Sequence, residues 1–173
     1  MSRLKVLVEG RPGVGKTTLA RRLIDSLRAQ GVPVSGFTTG EMRSAGRRTG
    51  FAIETVSGER GVLAHVDISG PPRVGRYGVD LETLERIALP AMSVAGDAVA
   101  VVDELGKMEL ASAAFREAAA RLFDSDIRVV ATVHVFKDPL TDALKRRHDV
   151  EVVQVSQRTR DDLAGDLVHR LVR

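Results

Sequence analysis

Residues 4–18 read "LKVLVEGRPGVGKTT", a short apolar run that breaks into three glycines and a proline and ends on a lysine and two threonines. Leu4 to Val8, closed by Gly10, has the pattern of a strand buried on both faces. From Thr17 to Gln30, apolar residues recur at Leu19, Ala20, Leu23, Ile24 and Leu27. That is the 3.6-residue period of a helix, stopped by Gly31 and Pro33. Between strand and helix, Gly10-Arg11-Pro12-Gly13-Val14-Gly15-Lys16-Thr17 matches G-x-x-x-x-G-K-[ST] in the context that a P-loop requires. The glycines let backbone N–H groups turn inward without obstruction by Cβ, and the helix adds the positive end of its dipole. Lys16 is expected to reach the β- and γ-phosphates, and the Thr17 hydroxyl to bind Mg²⁺. The nucleotide-contacting set read here is Gly10, Arg11, Pro12, Gly13, Val14, Gly15, Lys16 and Thr17, with Thr18 as a helix residue at its edge.

Working outward, strand-like and helix-like patterns alternate with no repeat and no low-complexity linker. Residues 34–66 are β-rich, with turns such as Ser57-Gly58-Glu59, and read as one strand followed by a hairpin around residues 49–66. A Gly/Pro-rich loop runs from Ser69 to Gly78. Asp80 can cap a helix through Leu84, Ile87 and Ala88 that Pro90 is expected to kink. "AVAVVD" is a strand, Ser112 to Phe123 a helix, "IRVVATV" a strand, Pro139 to Arg147 a short helix, "VEVVQV" a strand and Arg160 to Val172 a closing amphipathic helix. This alternation predicts an α/β, three-layer P-loop NTPase fold. Its sheet is mainly parallel and flanked by helices, with ligands at the C-terminal ends of the strands.

Composition sets the limits. At 173 residues and 43% hydrophobic content, one domain spanning residues 1–173 is expected. Cysteine is absent, which excludes disulfides, thiolate metal sites and cysteine nucleophiles. Lys+Arg 26 against Asp+Glu 23 gives a net charge of only +3, which permits a nucleic-acid partner without requiring one. Aromatic residues, at 3%, are too few for a base-stacking platform, so nucleic acid is not the favoured partner. No apolar h-region and no run near the ~18 residues of a membrane span is present, so a soluble cytoplasmic protein without membrane contact is expected.

A P-loop site needs an acidic partner at the end of another buried strand, and "AVAVVDELGKMEL" supplies Asp103 and Glu104. Asp103 would support Mg²⁺, and Glu104 would orient a water or accept its proton. The alternative is that two carboxylates merely end a strand and cap the next segment. Asp103-Glu104-Leu105-Gly106 also satisfies the D-x-x-G of GTPases, but that class reads guanine through N-K-x-D and this chain holds no asparagine.

"GRPGVGKTT", "RTGFAIET", "RYGVDLETLERIALPAM", "VVDELGKMEL", "FREAAARL" and "VVATVH" succeed one another in the order and spacing of a small nucleoside-triphosphatase family, known from thermophilic prokaryotes and with a cancer-related human member. The chain resembles that family over essentially its whole length. The resemblance implies a RecA-like arrangement, with an inserted strand between the P-loop strand and the acidic strand. It also implies slow hydrolysis of several nucleoside triphosphates, ATP, GTP, CTP and UTP, with little base selectivity. Arg11 departs from the family, where an acidic residue can stand in the loop. Within the matched segments, Lys107 and Arg116 are candidate catalytic cations that would stabilise charge on the transferring phosphoryl group, Arg116 in cis or across a subunit contact. Each is otherwise a solvated charge. Thr132 is either a polar sensor of the γ-phosphate or a β-branched core residue. Arg43, Arg47 and Arg48 surround the turn near the hairpin and either close over the nucleotide or, the better reading, reflect arginine-rich composition, and His65, His134, His148 and His169 lack metal-ligand spacing.

The leading expectation is an Mg²⁺-dependent nucleoside-triphosphate phosphohydrolase. A nucleotide or small-molecule kinase and a nucleic-acid-associated nucleotide-binding module are the alternatives. The sequence leaves oligomeric state open, with a monomer as the expectation.

Overall fold

A computed structural model describes residues 3–173. Nine strands form one sheet: β1 (Lys5–Glu9), β2 (Val34–Ser44), β3 (Arg47–Thr55), β4 (Arg60–His65), β5 (Arg73–Val74), β6 (Tyr77–Val79), β7 (Val99–Leu105), β8 (Arg128–Val133) and β9 (Glu151–Gln154). The helices are α1 (Lys16–Ala29), α2 (Leu81–Met92), α3 (Ala113–Asp124), α4 (Pro139–Lys145) and α5 (Arg160–Leu171). The strand order is β5-β6-β4-β3-β2-β7-β8-β1-β9, so β8 lies between β1 and β7.

The sheet is mixed rather than mainly parallel. β2, β7, β8, β1 and β9 run parallel, whereas β3, β4, β6 and β5 extend the sheet by antiparallel pairing. β2 is the pivot. Its first half, Val34 to Phe37, pairs with β7 and its second half pairs with β3. Close packing at this junction requires Gly36, whose φ is 119° and whose missing Cβ would fall 1.8 Å from the Val101 carbonyl oxygen. β3 and β4 form an antiparallel hairpin around Gly58. The stretch read as a Gly/Pro-rich loop folds into β5 and β6. A two-residue and a three-residue strand carry no legible alternation, and only pairing of β6 with β4 establishes them.

Alternation along the parallel strands divides the core. Val6, Val8, Val99 and Val101 face α1 and α5, with Leu19, Leu23, Leu27 and Leu167. Leu7, Ala100 and Val102 face the opposite layer of α2, α3 and α4, with Leu84, Ile87, Phe115 and Leu144. Each fully buried leucine in these layers contributes about 1.5–3 kcal/mol of transfer free energy. The helices start where the sequence supplies caps. Asp80 accepts from Thr83 N at 2.9 Å, Ser112 from Phe115 N at 3.0 Å and Asp138 from Leu140 N at 2.8 Å. Pro90 does not end α2, which continues to Met92. Among the described residues no helix is long and apolar enough to cross a membrane.

Candidate active site

The carboxyl ends of β1, β7 and β8 open into a cleft of about 740 Å³, walled on its far side by β2, β3, β4 and β6. The P-loop forms its floor. Gly15 caps α1 in the left-handed region, φ 103°, and brings no side chain to the first-turn N–H groups, which stay open to an anion. Lys16 is 7% exposed and extends back beneath the loop. Its Nζ donates to the Gly10 carbonyl at 2.6 Å and to the Val133 carbonyl at 3.4 Å.

Two acidic residues reach the same helix turn because β7 is irregular there. Val102 pairs with Ala131 and Leu105 with Val133, so Asp103 and Glu104 together face Thr132 alone. Such a bulge frees consecutive side chains from strict alternation. Asp103, 1% exposed, accepts hydrogen bonds from the Thr132 hydroxyl at 2.7 Å and from Thr39 N at 3.4 Å. Burial pushes its carboxyl up to about 6 in spite of the hydrogen bond from Thr132, and the Glu104 charge adds to the rise. Glu104 lies with Oε2 2.9 Å from Lys16 Nζ. The two charges touch without hydrogen-bond alignment, so Oε2, although buried, keeps its acceptor capacity. Gly106 packs on this carboxylate, and a Cβ there would fall 2.9 Å from Glu104 Oε1.

Residues 5–168 match the NTPase family. Nucleoside-triphosphatase THEP1 of Thermotoga sp. (strain RQ2) is 42% identical over 95% of this chain and 94% of its own. The human cancer-related nucleoside-triphosphatase is 40% identical over 94% of each. This chain belongs to the NTPase family. The crystal structure of THEP1 from Aquifex aeolicus superposes with a TM-score of 0.88 at 31% identity, covering 98% of this chain and 100% of that one.

The NTPase-family segments are not brought together evenly. Pro12, Gly13, Gly15, Lys16, Thr17 and Thr18 line the cleft with Glu104 and Lys107. Gly10 contributes its carbonyl to Lys16, Val14 packs into the core beside α1, and Arg11 is exposed. The Lys107 ammonium sits 4.3 Å from the Phe136 ring centroid, and that ring stacks on His134 at 3.6 Å. His134 is therefore buried beneath the cleft, where desolvation and Lys145 hold its pKa below the ordinary imidazole value.

Arg116 does not reach the cleft. Its guanidinium forms a two-pronged pair with Asp138 at 3.0 and 3.1 Å and donates to the Leu110 carbonyl, tying α3 to the start of α4. Burial would raise the Asp138 pKa, but hydrogen bonds from Arg116 and from the Thr141 and Leu140 backbone hold it below the usual carboxylate value. Thr132 is a buried β-branched residue, 1% exposed, whose hydroxyl donates to Asp103.

Further cleft residues lie beyond those singled out in the sequence, and Arg48, read there chiefly as compositional bias, lines the cleft. Glu109, 3% exposed, is pushed well above the ordinary carboxylic range by burial and then by the charges of Glu104 and Asp103. Its place five residues beyond Glu104 in "DELGKMEL" was the available signal. Arg48 donates to the Tyr77 hydroxyl at 2.9 Å and lies over the Phe51 ring, so Arg48, Phe51 and Tyr77 join in the far wall. Arg160, from the first position of α5, lies against the P-loop.

Proposed function

We propose that this chain is an Mg²⁺-dependent phosphohydrolase converting nucleoside triphosphates to diphosphates and phosphate, slowly and with broad base tolerance, on a RecA-like arrangement of strands. The position of β8 between β1 and β7 supports the RecA-like reading. The observation that carries the chemistry is Glu104 poised on Lys16 with an acceptor oxygen unused. Water attacks the γ-phosphorus, a new P–O bond forms and the bridging P–O bond to the β-phosphate breaks. Glu104 takes the water's proton, while Lys16 leaves Glu104 to hold the charge gathering on the phosphate oxygens.

Thr17 and Asp103 suit Mg²⁺. The Thr17 hydroxyl and the buried Asp103 carboxylate are hard oxygen donors of the kind this ion takes. Two protein donors leave the remaining positions to phosphate and water, the usual division at such sites. Held by Thr17 and Asp103, the ion would supply positive charge to offset that of the phosphate chain.

Base tolerance fits a far wall of Arg48, Phe51 and Tyr77, whose rings and guanidinium offer stacking surfaces rather than paired amide edges. The test is phosphate release from ATP, GTP, CTP and UTP, with Mg²⁺ and with chelator. Comparable rates across bases that vanish with chelator support the reading. Release from one base alone, or release that survives chelation, overturns it.

A further inference from the structure

The two flanks of β1 differ. On one side, β8 and β7 carry Thr132, Asp103 and Glu104, so the reacting end of a bound phosphate chain lies there. On the other side, β9 leads through residues 155–159 into α5, and this segment packs on the P-loop. A Cβ on Gly10 would fall 2.8 Å from Val155 Cγ1. A Cβ on Gly15 would fall 2.5 Å from Arg160 Nη1 and 2.6 Å from its Cδ. The guanidinium thus covers the last glycine of the loop on the flank opposite Glu104 and lines the cleft.

Its charge is poorly compensated. Arg160 Nε is buried and makes no hydrogen bond among the described residues, and Asp161 stands 3.8 Å from it. Asp161 is itself engaged by Arg22. A guanidinium that is 32% exposed, lines the cleft and rests on an anion-binding loop with a poorly compensated charge is arranged for an anionic ligand.

Resting on the nucleotide-hydrolysing reading above, we infer that Arg160 binds the α-phosphate of the nucleotide. It thereby grips the nucleoside end of the phosphate chain through a group that every base shares. Arg160 is then a substrate-binding residue remote from bond breaking. It holds triphosphate and diphosphate alike and contributes nothing to base choice.

The test compares wild type with Arg160→Met, which keeps the aliphatic packing on Gly15, and Arg160→Lys, which keeps a cation. Binding of Mg²⁺-ATP, Mg²⁺-CTP, Mg²⁺-ADP and inorganic tripolyphosphate is measured by calorimetry, alongside KM, kcat and thermal melting. Arg160→Met should weaken all four ligands by a common factor of roughly tenfold to a hundredfold, the range for a hydrogen bond between charged groups. The loss should fall on KM rather than kcat, and Arg160→Lys should recover part of it. A fall in kcat with binding intact would place the arginine at the transferring phosphoryl group and overturn the inference. Weaker nucleotide binding with tripolyphosphate unaffected would place it on base or ribose and overturn the inference equally. Equal affinities in all three proteins would also sink it. If wild type binds nucleotide but releases no phosphate, the hydrolase reading fails, and the arginine is still judged on binding alone.

Discussion

Lys16 Nζ lies 2.9 Å from Glu104 Oε2, joining the loop proposed to hold phosphate to the carboxylate proposed to take the proton from water. Both groups have a second task once nucleotide enters, so their substitutions separate. Glu104→Gln removes the proton acceptor and frees the lysine. We expect kcat to fall by roughly 10²–10⁴-fold while ATP still binds. Lys16→Ala should instead weaken ATP binding by about tenfold or more, on the order of one hydrogen bond between charged groups. Phosphate release and calorimetric titration of the two variants read this split, and unchanged turnover in Glu104→Gln would remove Glu104 as the base.

Asp103 makes stability depend on pH. Its carboxyl is raised in the folded protein from 3.8 to about 6, so the native state holds the proton more tightly than the unfolded chain. Its contribution is fully favourable below about pH 4 and is lost as pH rises through 6. Roughly two units at about 1.36 kcal/mol each make the ionised, ligand-free form less stable by about 3 kcal/mol. Asp103→Asn should therefore melt at a higher temperature than wild type at pH 8 without metal or nucleotide, and the gap should close near pH 4. Mg²⁺ with ADP should stabilise wild type far more than the variant. A lower melting temperature for Asp103→Asn at pH 8 would contradict this account.

Gly106 keeps Glu104 in place by having no side chain. In Gly106→Ala the new methyl meets Oε1 at 2.9 Å and Cγ at 3.0 Å, so the carboxylate must move by a few tenths of an ångström. Displacement of a proton acceptor on this scale should lower kcat by about tenfold or more, with KM and melting temperature little changed. Kinetics and calorimetry on one preparation test it.

The Arg116 guanidinium is engaged by Asp138 and the Leu110 carbonyl. Its pair with Asp138 is partly exposed, so solvent screening limits its worth to about 1 kcal/mol, with the bond to the Leu110 carbonyl adding a similar amount. Arg116→Ala should lower the melting temperature by several degrees and alter kcat by less than about threefold. A loss of kcat by orders of magnitude in a well-folded variant would return Arg116 to the chemistry.

The local elements of the site were legible because their information is local. Gly10, Gly15, Lys16 and Thr17 dictate a strand, a turn and a helix start through their own backbone preferences and spacing, and the folded loop agrees with that reading. Asp103 and Glu104 at the end of an apolar strand are likewise placed by their neighbours in sequence. The antiparallel half of the sheet was legible only in its β3–β4 hairpin. β5 and β6 are too short to show a period, and their existence depends on β4.

The sequence by itself determined a strand, glycine turn and helix start around Gly10 to Thr17 and an acidic pair closing an apolar strand, since each depends on residues a few positions apart. Only the tertiary structure decided which other groups join them. Pairing of β9 beside β1 brings Arg160 onto Gly15, and the antiparallel extension of β2 brings Arg48, Phe51 and Tyr77 to the far wall. The turn after β7 buries Glu109, while packing of α3 on α4 draws Arg116 to Asp138. The contacts of Arg160, Arg48 and Arg116 join residues whose meeting is set by strand order and helix packing, for which spacing along the chain holds no signal.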